Sequence, residues 1–234
     1  MNSKIILSLF AFLIFLASTV FVLAKPTTPS FGIPEHAVEI APGLFSLGTA
    51  VIDGKVVEGL MFVHYKRENA KPPAGGGNRD STCYAFLAKG AKWKTVEPWV
   101  VNTANSEDLS DGFVLSNLAA DIQKWEIASS FDILGSGSTT NSVLVADTSS
   151  PDNINEVYFA DVSSQGAIAV TIVWGIFSGP TFARELVEWD QVYDDVDFDW
   201  SSSGEAGKMD FENIATHELG HSVGMGHPSS GCTE

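Results

Sequence analysis

The sequence predicts an α+β fold, and two observations carry that prediction. Several short runs rich in Val, Ile, Phe and Tyr are separated by Gly, Pro, Asn and Asp, the pattern of strands and turns. Two other stretches repeat apolar residues at helical spacing: Val114, Leu118, Ile122 and Trp125, then Phe211, Ala215, Leu219 and Val223. A chain of 234 residues is long enough for one ordinary domain plus extensions, and 44% hydrophobic content argues against disorder.

Residues 1–24 read as a secretory signal peptide. Ile5 to Ala24 is uncharged and mostly apolar behind Lys4, and Val22-Leu23-Ala24 ends it with a small residue suited to cleavage. The run is also long enough to span a bilayer as an uncleaved anchor. In either case the rest of the chain lies outside the cytoplasm, and it meets a membrane only if the apolar segment is retained. The formal net charge of −16 disfavours nucleic acid and anionic membrane surfaces as partners.

Residues 25–90 read as a small β-rich segment, either a propeptide or a permanent extension. Pro26, Pro29 and Pro34 mark an exposed leader. Val38 to Lys66 is rich in strand formers, and Asp53-Gly54 between two apolar runs is a hairpin signal. His36 and His64 lie here without a partner at metal spacing, so each reads as a surface or half-buried histidine. Residues 67–80 contain Pro72-Pro73 and Gly75-Gly76-Gly77 and form a linker. Cys83 and Cys232 are the chain's two cysteines, and an even count in an exported protein favours a disulfide between them.

Residues 91–234 form the main domain. Trp93 to Asn102 reads as a strand. Ser110 or Asp111 can cap the first helix, in which Trp125 is expected to be core. Phe131 to Leu134 is a short strand, Gly135 to Asn141 a loop, and Val143–Ala146 and Val157–Ala160 further strands. Gly166 to Trp174 alternates cleanly and is the best strand in the domain. Glu185 to Trp200 contains another, with Asp194, Asp195, Asp197 and Asp199 crowding its end; these carboxylates are a candidate calcium site or a solvated acidic loop.

The second helix carries the chemistry. His217-Glu218-Leu219-Gly220-His221-Ser222-Val223-Gly224-Met225-Gly226-His227 reads H-E-x-x-H-x-x-G-x-x-H. At 100° per residue, His217 and His221 stand about 40° apart on one helix face, one turn apart. Both imidazoles can therefore meet one metal ion. Gly224 can take a left-handed conformation and turn the chain, so that His227 returns as a third ligand. Three protein ligands leave a fourth position for water, as a catalytic zinc site requires. Glu218 stands about 100° round the helix from His217, beside the metal and not bound to it, where a general base belongs.

This motif resembles the metzincin clan of zinc endopeptidases, most closely the matrixin-like secreted enzymes of microbes. The resemblance implies a twisted mixed sheet with two long helices, here preceded by the small β-rich segment. It implies one catalytic Zn2+ on His217, His221 and His227, Glu218 as general base, and a peptide or protein as substrate. By order, Gly166–Trp174 matches the clan's edge strand, which holds substrate by β-augmentation; an interior strand is the alternative. The clan also includes enzymes with a cysteine switch, but Ser81-Thr82-Cys83-Tyr84 does not match that context. A Met-turn and a C-terminal helix are expected after the third histidine. Met225 lies inside the motif and is not that methionine, so the sequence reads as incomplete at its C-terminal end. The expected function is a secreted zinc endopeptidase, with a non-catalytic zinc-containing binding or structural module as the alternative.

Overall fold

The computed structural model describes residues 28–66, 84–107 and 109–228. The apolar run Ile5–Ala24, the linker 67–80 and the expected Cys83–Cys232 pair lie outside the described residues. Among the described residues no helix is long and apolar enough to cross a membrane.

The first strands are β1 (Ser30–Phe31), β2 (Val38–Ala41), β3 (Leu44–Ile52), β4 (Lys55–Tyr65), β5 (Ala85–Phe86) and β6 (Glu97–Val101). Helix α1 (Asp111–Ser129) precedes β7 (Leu134–Thr139), β8 (Asn155–Val162), β9 (Ala167–Ile176) and β10 (Glu185–Asp194). The two-residue strands β11 (Trp200–Ser201) and β12 (Met209–Asp210) lead into α2 (Phe211–Ser222), and β13 (Met225–Gly226) follows it.

Nine strands form one mixed sheet in the order β2-β3-β4-β9-β10-β8-β6-β7, with β1 paired to β8 off that path. Strand β9 runs antiparallel to both β4 and β10, while β10, β8, β6 and β7 run parallel to one another. Its sequence, nearly all Val, Ile, Ala and Trp, suits that central place, because every position but the last is buried. On one face Ala169, Val173, Trp189 and Tyr193 pack with Leu118, Ile122, Phe211 and Leu219 of the helices. On the other, Val170, Ile172, Trp174 and Val192 pack with Met61, Val63, Leu144 and Ala146.

The expected fold is corrected by this sheet. A metzincin-like subdomain with two long helices and a separate β-rich segment in front of it is not what forms. The β-rich segment is one wing of the same sheet, because β4 pairs with β9 from Glu58–Gly175 to Tyr65–Ala167. Helix α1 has 19 residues, but α2 has only 12. The same pairing makes β9 an interior strand, so it does not offer the free edge expected for a peptide substrate. The physical reason is burial: β4 alternates so that Val57, Met61 and Val63 enter one apolar layer, and an unpaired strand edge beside β9 would leave backbone groups unsatisfied.

Several local expectations shift as well. The Gly/Ser/Thr stretch after Leu134 is strand β7, not a loop, and Gly137 lets the Trp99 ring lie against its backbone. Residues 143–146 form no strand, although Leu144 and Ala146 are buried and Val143 and Val145 exposed. Their N–H groups go to side chains instead: Val145 donates to Glu156 Oε2 at 3.2 Å and Ala146 to the Tyr158 hydroxyl at 3.1 Å. The strand expected at 131–134 keeps only Leu134, as the first residue of β7, and the one expected at 93–102 is confined to Glu97–Val101. The hairpin between β3 and β4 turns at Asp53 (φ 50°) and Gly54 (φ 74°), the two left-handed residues of a tight turn. Ser110 caps α1, its hydroxyl accepting from Phe113 N at 3.3 Å.

Candidate metal centre

Helix α2 forms because Phe211, Ala215 and Leu219 make one fully buried face. Three contacts fix how it sits. Trp125 of α1 donates from Nε1 to the Thr216 carbonyl at 2.8 Å. Its ring lies so close to Gly220 that a Cβ there would come 2.8 Å from Cζ2. Beneath the helix, the Tyr193 hydroxyl donates to Gln191 Oε1 at 2.7 Å, and Gln191 Nε2 donates to Ser222 Oγ at 3.0 Å. That buried chain holds the last turn to β10, while His217 and His221 turn toward β4.

Helix α2 ends as the motif requires. Gly224 adopts φ 102°, and its N–H donates to the His221 carbonyl at 2.9 Å. The chain then doubles back as β13, which pairs antiparallel with β5. Leu87 N adds a bond to the Gly224 carbonyl at 2.9 Å. This return brings His227 to the helix pair. Ring centroids lie 5.0 Å apart for His217 and His221, 4.8 Å for His221 and His227, and 5.5 Å for His217 and His227.

The nitrogens converge at ligand spacing. His217 Nε2 and His227 Nε2 are 3.4 Å apart. Two imidazole nitrogens on one tetrahedral zinc at about 2.0–2.1 Å stand about 3.3–3.4 Å apart. The tautomer of His221 is set by its partner: Nδ1 lies 2.9 Å from the Met225 carbonyl, which can only accept, so Nδ1 carries the proton. Nε2 is then a lone-pair nitrogen, buried and with no hydrogen-bond partner among the described residues. Burial, followed by the nearby His217, holds the His221 pKa well below the usual imidazole range. A neutral, orphaned, buried nitrogen between two other imidazoles fits a zinc ion.

Glu218 is fully buried beside this cluster. Thr171 of β9 donates from Oγ1 to Glu218 Oε2 at 2.5 Å. The other oxygen, Oε1, lies 3.5 Å from His64 Nδ1 and accepts no hydrogen bond among the described residues. Burial lifts the carboxyl pKa to about 7, against the lowering effect of the Thr171 hydroxyl. A carboxyl poised near neutral pH suits a group that takes and returns a proton.

All four motif residues therefore meet in one place. Strand β4 adds two side chains that were not assigned to the site. Phe62 is opposite Thr171 in register, and His64 is opposite Ala169, so both face α2. The Phe62 ring stacks on His221 with centroids 3.8 Å apart and planes 9° from parallel, and meets His227 edge-on at 5.6 Å. His64 packs against His217 with ring centroids 4.5 Å apart. The spacing of Phe62 and His64 at i and i+2 was visible as a strand face, but its pairing with β9 was not. His36 is remote from the cluster and meets the Thr148 carbonyl at 2.9 Å.

The acidic stretch after β10 is used differently. Asp194 Oδ1 accepts from Val196 N at 3.0 Å and Asp197 N at 2.6 Å, and Oδ2 accepts from Val162 N at 2.9 Å. Asp195 Oδ1 accepts from Ser106 N at 2.7 Å. These carboxylates organise turns. Among the described residues, the stretch does not bring three ligand oxygens together.

No protein-family model matches the chain, and a search of curated proteins finds no match either.

Proposed function

We propose that the chain is an exported zinc-dependent endopeptidase with a metzincin-type ligand set, His217, His221 and His227, and Glu218 as general base. The observation that carries the reading is the convergence of three imidazoles, with two Nε2 atoms 3.4 Å apart and a third nitrogen buried and unpaired. When bound, zinc would supply Lewis acidity, acidifying water and polarising the scissile carbonyl.

The chain's own groups do the rest. Glu218 takes the proton of the attacking water and returns it to the leaving amine. Thr171 holds one Glu218 oxygen in place, so the other is the one that handles the proton. The carbonyl of Met225 keeps the His221 proton on Nδ1 and its lone pair turned inward. Phe62 covers one ring face of His221 and excludes water from it.

A second reading is a zinc-containing module without turnover. It is favoured by one observation: β4 occupies the edge of β9 on which an extended peptide would pair. One experiment separates the two. Purified protein should bind one zinc and cleave casein or a quenched peptide. Glu218→Ala should keep the metal and lose turnover by a factor on the order of 100 or more. His227→Ala should lose zinc. Should Glu218→Ala cleave as fast as the parent, the assigned role is wrong. Stoichiometric zinc without cleavage by the parent would favour the module.

A further inference from the structure

A second group of ligand atoms lies on the other side of the sheet from α2. Glu188 and Asp190 are two apart on β10 and share the face that carries Val192, away from the helices. The segment 141–154, between β7 and β8, crosses over them and contributes Asp147. Ligand oxygens of Asp147, Glu188 and Asp190 all lie within 4.8 Å of one another. Glu188 is 0% exposed and Asp190 1%, while Asp147 is half-buried and forms the side open to solvent.

The group's own bonds leave it short of donors. Asp190 accepts from Asp147 N at 2.8 Å and from Glu156 N at 3.2 Å, and Glu188 Oε2 accepts from Asn153 N. Asp147 also accepts from Asp152 N and its carboxyl lies within hydrogen-bond reach of the Glu188 carboxyl, while Glu188 Oε1 and Asp147 Oδ2 are buried and meet no N–H donor among the described residues. Among the described residues no Lys or Arg forms a salt bridge with any of the three. Buried acids are ordinarily paired, protonated or bound to metal, so three that face one another call for a cation or a shared proton between them.

We propose that Asp147, Glu188 and Asp190 form a site for a hard divalent cation of the calcium class, separate from the histidine cluster. The donors are all oxygen, which selects calcium or magnesium over zinc or copper. The carboxylates sit on a strand and an irregular segment, an uneven arrangement that suits calcium's variable coordination better than the octahedron magnesium demands. Water completes the shell on the Asp147 side. The ion clamps segment 141–154, whose N–H groups are spent on side chains and not on a strand ladder. None of this depends on peptidase activity.

The test uses the full zinc-loaded protein, freed of other metals, with calcium chloride as the probe. One calcium should bind by calorimetry, and the melting temperature should rise by about 5–10 °C at a hundredfold excess over Kd. Magnesium should bind more weakly. Glu188→Gln should weaken calcium binding roughly tenfold or more by removing ligand charge, with zinc content unchanged. Asp147→Asn, at the half-buried position, should do the same and guards against a folding failure of the first variant. No heat and no thermal shift at millimolar calcium would overturn the proposal, leaving a proton as the occupant. So would a shift that persists in both variants, which would place the ion elsewhere.

Discussion

Phe62 and His221 stack face to face, with ring centroids 3.8 Å apart and planes 9° from parallel, although 159 positions separate them in the chain. The contact joins the N-terminal wing of the sheet to the proposed metal ligands. Phe62 is 2% exposed, so Phe62→Ala should cost about 3–5 kcal/mol of stability. It should also weaken zinc binding by about 10–100-fold, the usual loss when a group that orients a ligand is removed. Phe62→Leu, which keeps most of the apolar volume, should recover most of the stability and less of the affinity. Competition against a chromogenic chelator checks this, and unchanged affinity in both variants would remove Phe62 from the site.

Thr171 supplies the hydroxyl that Glu218 Oε2 accepts at 2.5 Å. Burial raises the Glu218 pKa to about 7, and this hydrogen bond works the other way. Thr171→Val keeps the shape and deletes the donor. The carboxylate then loses stabilisation of its charged form, so its pKa rises further. A general base must be ionised, so activity should fall at pH 6–7 and recover at alkaline pH. A bond to a charged group is worth about 1.5–3 kcal/mol, so the acid limb of the pH–rate profile should move up by about one pH unit or more. An unmoved limb would show that Glu218 does not set it.

The proposed ligand set was legible because helix geometry is local. His217 and His221 need only the 3.6-residue period, and His227 only the turn at Gly224. The hairpin at Asp53-Gly54 and the cap at Ser110 are local in the same way. What the sequence hid was non-local. Nothing in Phe62 or His64 says that β4 pairs with β9, more than a hundred residues on. The strand at 134–139 was missed because Gly135 and Gly137 look like loop residues until Val96 and Trp99 are placed against them. Residues 143–146 looked like a strand because Val143-Leu144-Val145-Ala146 is an apolar run, yet Glu156 and Tyr158 take their hydrogen bonds.

Gly220 lies between His217 and His221 on α2 with the Trp125 ring against it. In an exposed helix Gly→Ala gains up to about 1 kcal/mol from propensity. Here the added Cβ would sit 2.8 Å from Trp125 Cζ2, and overpacking of that kind costs about 1–3 kcal/mol. Repulsion should win, and Gly220→Ala should lower the melting temperature by a few degrees, about 2–4 °C per kcal/mol. Adding Trp125→Phe should relieve the clash and give a double variant more stable than the sum of the single effects. Simple additivity would place the cause elsewhere.

The acids around β10 predict an unusual pH dependence. Burial first, then neighbouring carboxylates, lifts the Glu188 pKa to about 9; burial, then nearby acids, lifts Glu156 to about 7. The unfolded chain releases these protons near the ordinary value of 4.5, whereas the folded chain holds them longer. Each group therefore contributes stability that is complete below about pH 4.5. Glu156 loses its contribution between about pH 4.5 and 7, and Glu188 between about pH 4.5 and 9. His221 has the opposite slope, because burial lowers its pKa, so the clean observable is a difference between variants. Without calcium, Glu156→Gln and Glu188→Gln should gain on the parent in melting temperature as pH rises from 5 to 9. Both gains should begin just above pH 4.5, levelling off near pH 7 for Glu156→Gln and continuing to about pH 9 for Glu188→Gln. Saturating calcium should shrink the Glu188→Gln gain, because the ion then neutralises the parent's carboxylate. Parallel melting curves for parent and variants across that range would mean that neither carboxyl holds its proton in the folded state.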